Sequence, residues 1–275
     1  FFHKHELLNK DSFEEYLLDR NEMTGWPTRS FENALHTNLS RNSPANNKYL
    51  ERECYSIYGD SYAFDTEVND TQAWSNQLAE IMSCGILNYG IPGYGLDQAY
   101  LRFKSHNPKN LNVIMTFVEM DYRRARTRMY SLQSGEGINI NLTKPMFELT
   151  KNKKLKLHHL PINEFKDYQN LDNRLHFENI FYNDLFLPDN DTWSTSVPSF
   201  PYSLEIVNLF NKLIKRQISY GAYLNYHSTF KFAEIVQLNK LLMSIAEPMP
   251  SYRDETVRLN EKILESFIND CKYLG

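Results

Sequence analysis

A serine that follows glycine and aspartate at the end of a β-prone run can serve as a nucleophile, and Gly59-Asp60-Ser61 has that form. The residues before it, Cys54 to Tyr58, alternate in the manner of a strand. A hydroxyl held just past the carboxyl end of a parallel strand lies where open α/β sheets place their ligands. If a helix starts there, its backbone N–H groups can also steady a negative oxygen. Alone, the tripeptide reads as a turn, since all three residue types favour turns. A second segment changes the weighting: Asn88-Tyr89-Gly90-Ile91-Pro92-Gly93-Tyr94-Gly95-Leu96-Asp97-Gln98. Three glycines and an asparagine let a backbone turn sharply or approach another group closely. Gly93 could aim its N–H at the space that the Ser61 hydroxyl reaches, or could serve packing alone. A hydroxyl with converging N–H donors is the equipment of acyl transfer.

Two such loops meet only if a sheet sets their strands side by side. Residues 54–58 read as a first strand. Residues 72–83 read as a helix with Trp74, Leu78, Ile81 and Met82 on one face. Residues 86–89 read as a second strand, and residues 96–105 as a helix facing inward with Leu96, Ala99, Tyr100 and Phe103. Residues 111–118 form a continuous apolar run, as in a strand buried on both faces. This alternation predicts a layered α/β domain. Residues 1–50 are polar and are expected to wrap the domain, with Gly25-Trp26-Pro27 as a turn. Residues 122–200 interrupt the rhythm with the charged stretch Arg123–Arg128, a hairpin-like segment and a polar loop. They read as an insertion over the sheet's carboxyl edge. Helices return at 203–218, after Ser228, and from Asp254, the last with Leu264, Phe267, Ile268 and Cys271 inward. The domain is thus expected over 51–275, with its insertion at about 122–200.

Composition excludes several classes. The chain has 275 residues, a net charge of −4 and 14% aromatic residues. That is a packed fold with no basic tract for nucleic acid. Three cysteines, Cys54, Cys84 and Cys271, show neither metal-ligand spacing nor a disulfide framework. No run is long and apolar enough to cross a membrane. The first residue is Phe1, so an upstream signal or anchor stays open.

Together, GDSYAFDTEVNDTQAW and LNYGIPGYGLDQAYLRF resemble the SGNH/GDSL hydrolase superfamily, in its bacterial branch. The resemblance spans residues 54–103 and weakens towards residue 130. It implies a flavodoxin-like three-layer α/β/α fold and ester hydrolysis without a cofactor. It implies Ser61 as nucleophile, the N–H groups of Ser61 and Gly93 as oxyanion donors, and Asp60, Asn88 and Asp121 as loop supports. The implied substrate is an acylated small molecule or glycan; the compartment stays open, with the bacterial cell envelope or a membrane-associated place as candidates.

Two features depart from the family pattern. Met120 stands where an asparagine would be the third oxyanion donor, and a thioether donates no hydrogen bond. Arg123 or Arg124 could substitute by charge. The family's base is the histidine of an Asp-x-x-His block, yet none of the eight histidines has Asp three residues before it. His176 and His227 come nearest and lack the context. The expectation is that the base lies beyond Gly275. The competing readings are an inactive SGNH-like binding or scaffold module and an O-acyltransferase using the same serine. Asp65, Glu67 and Asp70 read either as a sugar-binding rim or as an acidic helix start. His158-His159 reads as a solvated hairpin end, and Trp74 as core.

Overall fold

The computed structural model describes residues 9–26, 39–49, 52–106, 112–134, 140–171, 173–182, 184–187 and 253–272, together with 35, 108, 214 and 215. Its elements run α1 (Lys10–Asp19), α2 (Pro44–Tyr49), β1 (Glu53–Tyr58), α3 (Ser61–Phe64), α4 (Trp74–Met82) and β2 (Gly85–Asn88). They continue with α5 (Leu96–His106), β3 (Val113–Met115), α6 (Glu119–Arg124), α7 (Tyr130–Ser134), β4 (Met146–Leu149) and β5 (Leu155–His158). Last come α8 (Phe165–Gln169), α9 (Arg174–Ile180) and α10 (Asp254–Lys272). The helices expected at 203–218 and after Ser228 lie outside the described residues, apart from Ile214 and Lys215.

The fold is mixed α/β in three layers. β1, β2 and β3 form a parallel sheet in the order β2-β1-β3, which puts the serine strand in the middle. Strand alternation sends Ile57 and Ile86 to one face, where Ala45 of α2 and Ala79 of α4 cover them. Tyr58 and Leu87 go to the other face, against Leu96, Tyr100 and Phe103 of α5 and Leu259, Ile263 and Phe267 of α10. The outer edge of β2 is closed by a side chain. Asn46 accepts from Ile86 N at 2.8 Å and donates to Ile86 O at 2.7 Å, as a neighbouring strand would.

Several helix faces differ from their sequence reading. In α4, Ile81 is 80% exposed and Met82 also faces solvent, while Ser75, Asn76 and Ala79 are buried. This helix packs with a polar stripe because its inner side chains hydrogen-bond: Asn76 Oδ1 accepts from the Ser43 hydroxyl and from Ala45 N. In α10, Ile268 is exposed, and Leu259, Ile263 and Phe267 carry the contact. The cysteines are also corrected. Cys54 and Cys84 form a disulfide, with Cα atoms 5.9 Å apart. No spacing rule signals it, because pairing of β1 with β2, Glu53 opposite Gly85, brings the two together.

The expected insertion enters two cores. Phe147 of β4 and Ala125 join the sheet's second face. Met129, Leu132, Ile162, Tyr168, Phe177 and Phe181 instead pack with Phe13 and Tyr16 of α1. The lead-in is therefore built into a core at α1.

His106, at the end of α5, lies 4.2 Å from the Tyr89 ring and 6.0 Å from that of Tyr58, centroid to centroid. Burial, aided by the Arg102 charge, lowers its pKa from 6.5 to about 3. A depressed histidine is neutral when folded and takes up a proton when unfolded, so its stabilising term is full above pH 6.5 and fades as pH falls towards 3. His106→Phe removes that term. The stability gap between variant and wild type should shift in the variant's favour by about 1.4 kcal/mol per pH unit below 6.5. Urea unfolding at pH 7, 5 and 4 measures the gap, and a constant gap would refute the assignment.

Candidate active site

Three loops leave the carboxyl ends of the three parallel strands. The first carries Ser61, partly exposed, at the start of the single helical turn α3. Asp60 is the cap of that turn: its Oδ1 accepts from Tyr62 N at 2.9 Å, and its side chain is buried. The aspartate therefore fixes the turn without drawing on the serine side chain. The Ser61 N–H donates to no described group, and its hydroxyl makes no hydrogen bond among the described residues. The turn closes with Asp65 in the left-handed region at φ 67°, its N–H donating to Ser61 O at 2.7 Å.

The second loop is a tight Ile91-Pro92-Gly93-Tyr94 turn, with Tyr94 N donating to Ile91 O at 3.2 Å. Proline in its second position and Gly93 at φ +82° in its third are the requirements of a type II turn. The Pro92 carbonyl accepts from Trp26 Nε1 at 3.3 Å. In a trans peptide the carbonyl and the next N–H point opposite ways, so the Gly93 N–H is turned away from the indole. It too donates to no described group. The serine and glycine loops touch: Ile91 N donates to Gly59 O at 3.0 Å, and a Cβ on Gly90 would lie 2.6 Å from the Ala63 Cβ. Only glycine allows that approach.

Asn88 ties both loops from beneath. Its Nδ2 donates to Ala63 O at 2.6 Å and to the Ser75 hydroxyl at 3.1 Å, and its Oδ1 accepts from Gly90 N at 3.0 Å. Asp121, in the third loop, caps α6 by accepting from Val118 N at 2.9 Å. Its pKa is pushed up to about 7, first by burial and then by the Asp60 carboxylate. Met120 precedes it and is half-buried.

Several residues that hold the site are not evident in the sequence. Arg41 is buried beneath the serine loop. It donates to the carbonyls of Phe64, Asp65 and Val68, pairs with Asp70 at 3.1 Å, and stacks on the Phe64 ring. Asp65 meanwhile accepts from Trp74 N at 2.9 Å. Asp65 and Asp70 are thus occupied structurally, which leaves only Glu67 of the acidic trio for a rim. Trp74 is half-buried and its indole N–H meets the Tyr62 and Ala63 carbonyls, both at 3.2 Å. On the glycine loop, the Tyr94 hydroxyl lies 2.9 Å from both Thr24 Oγ1 and Trp26 O, and Gln98 Nε2 donates to Thr24 O. Beyond it, Asp97 and Lys144 form an ion pair with no solvent exposure. Burial raises the Asp97 pKa and lowers that of Lys144, each opposed by the other's charge.

The Arg123–Arg128 stretch is largely internal wiring. Arg124 pairs with Asp60 and Asp121, Arg126 with Glu255, and Arg128 donates to Ile180 O. His158 pairs with Glu148 across the β4–β5 hairpin, and His176 lies 3.6 Å from Asp167. Neither forms a hydrogen bond with Ser61, and His227 lies outside the described residues. A cavity of about 570 Å³ opens between β4 and the start of α10, beside Arg126, Phe147, Glu255 and Arg258; no residue predicted for the site lines it. Among the described residues no three His, Cys, Asp or Glu side chains converge as metal ligands would. No described helix is long and apolar enough to cross a membrane. Comparison with protein families, with characterised proteins and with solved structures finds no match, so the site is read from its own geometry.

Proposed function

We propose that the protein is a serine ester hydrolase acting on O-acyl groups, with a glycan or small molecule as the acylated substrate. Ser61 is the nucleophile, and the N–H groups of Ser61 and Gly93 receive the oxyanion. One observation carries this reading. Ser61 stands at the carboxyl end of the central parallel strand, on a turn fixed by Asp60, and the two N–H groups assigned to the oxyanion have no acceptor among the described residues. An unused donor beside a partly exposed hydroxyl is the arrangement that a tetrahedral intermediate requires. The motif resemblance supports the same roles. An O-acyltransferase would use the same groups and hand the acyl unit to a sugar hydroxyl instead of water.

A second reading, an inactive binding or scaffold module, is favoured by the Ser61 hydroxyl, which makes no hydrogen bond among the described residues. No described histidine stands on it, and a serine without a base is a weak nucleophile. A fluorophosphonate probe separates the two, because it reports an activated hydroxyl together with an oxyanion site. The hydrolase reading expects covalent labelling at Ser61, located by peptide mass spectrometry. A folded full-length protein that takes up no probe would establish the binding-module reading.

A further inference from the structure

We infer that Arg124 is the positioning residue of this site: it ties the serine loop, the glycine loop and the loop after β3 into one unit and so sets the relation between the Ser61 and Gly93 amides. The inference rests on the proposed acyl-transfer role for the meaning of those amides, though not for the tie itself.

A single nitrogen makes the connection. Arg124 Nη1 lies 2.8 Å from Asp121 Oδ1, 3.2 Å from Tyr94 O and 3.4 Å from Asp60 Oδ2. Each acceptor is adjacent in sequence to a residue assigned to the site. Asp60 precedes Ser61, Tyr94 follows Gly93, and Asp121 follows Met120, where the third donor would stand. All four residues are buried, with 7% of the Arg124 side chain exposed and 1% and 2% for the two carboxylates. The guanidinium cannot slide, because the Tyr130 ring covers it with its centroid 5.6 Å away. The backbone that carries it is equally confined: a Cβ on Gly95 would lie 2.9 Å from Ala125 N.

Arginine suits this place better than lysine. A planar guanidinium spreads its charge and fixes its donors in direction, whereas an ammonium is a point charge on a flexible stem. Two buried carboxylates face it, and neither is tolerable there without a cation between them. The same arrangement accounts for the missing donor. Arg124 does not stand in for it by reaching the oxyanion with Nη1, because that nitrogen is engaged three times over. Its contribution is to hold the two remaining donors in place.

The test compares Arg124→Lys with Arg126→Lys in the full-length protein. Arg124→Lys keeps the charge and loses the planar group that fixes the direction of Nη1. Amide exchange is expected to accelerate together in residues 60–66 and 90–95, two loops far apart in sequence. Probe labelling at Ser61 should fall by roughly tenfold to a hundredfold in its maximal rate, with the half-saturating probe concentration nearly unchanged. Arg126→Lys alters the same stretch at an ion pair with Glu255 that involves none of the three loops, so labelling should stay within about threefold of wild type. Faster exchange confined to residues 118–126, or wild-type labelling in Arg124→Lys, would overturn the inference. So would an Arg126→Lys loss as large as that expected of Arg124→Lys, and so, should Arg124→Lys not fold, would separate opening free energies for residues 60–66 and 90–95 in the wild type. If the wild type takes up no probe, the hydrolase reading falls while the exchange result still decides whether Arg124 ties the loops.

Discussion

Ser61→Ala is expected to abolish fluorophosphonate labelling and to cut ester hydrolysis by at least about 1,000-fold, with folding unchanged. The size follows from the role: without the nucleophile, only the residual assistance of binding and the oxyanion donors remains. Folding should survive because the Ser61 side chain makes no hydrogen bond among the described residues and Asp60, which stays in place, caps the turn. Circular dichroism and the urea midpoint check that condition, and a wild-type rate in a folded Ser61→Ala would remove Ser61 from the mechanism. Met120→Asn works in the opposite direction. A single oxyanion donor is worth about 3–4 kcal/mol in a comparable site. If Met120 occupies the third donor's place, supplying an amide there should speed labelling by about tenfold or more; no change would place the methionine elsewhere.

The second large effect concerns stability. Lys144→Met should destabilise the fold by about 3–5 kcal/mol, because it strands Asp97 in the interior without its cation. The pair has no solvent exposure, so water cannot replace the lost partner. Asp97 opens α5 directly after the glycine loop, and Lys144 leads into β4. The pair therefore also anchors the hairpin to the loop of Gly93. The double variant Asp97→Leu/Lys144→Met removes both charges and should recover most of the loss, as apolar replacement of a buried pair often does. Denaturant unfolding of the two single variants and the double gives the coupling. A Lys144→Met cost below about 1 kcal/mol would mean that water reaches Asp97 after all.

What the sequence made legible was local. β1, β2 and α5 could be placed because strand alternation and helical periodicity act over a few neighbouring residues, and the Pro92-Gly93 turn carries its own chemistry. The serine loop and the glycine loop were readable for the same reason. The cationic supports were not. Arg41, Arg124 and Lys144 look like surface charges in a chain with 23% charged residues, and their partners lie on other loops. Only the tertiary fold distinguishes a solvated arginine from one buried between two carboxylates. Periodicity also misjudged α4, where Ser75 and Asn76 turn inward to hydrogen-bond and Ile81 is left outside. The β3 run was read as residues 111–118; among the described residues Val113–Met115 pair with β1, and the chain then turns into α6.

The disulfide makes the first strand–helix–strand unit a covalent ring. Cys54 and Cys84 stand 30 residues apart, and Ser61, its one-turn helix, the acidic loop and all of α4 lie between them. A protease that cuts anywhere in that stretch opens the ring without parting the chain. The two pieces would run as one band on a gel without reductant and as two bands with it. Digestion followed only without reductant would therefore conceal damage to the serine loop, and an inactivated molecule would pass for an intact one.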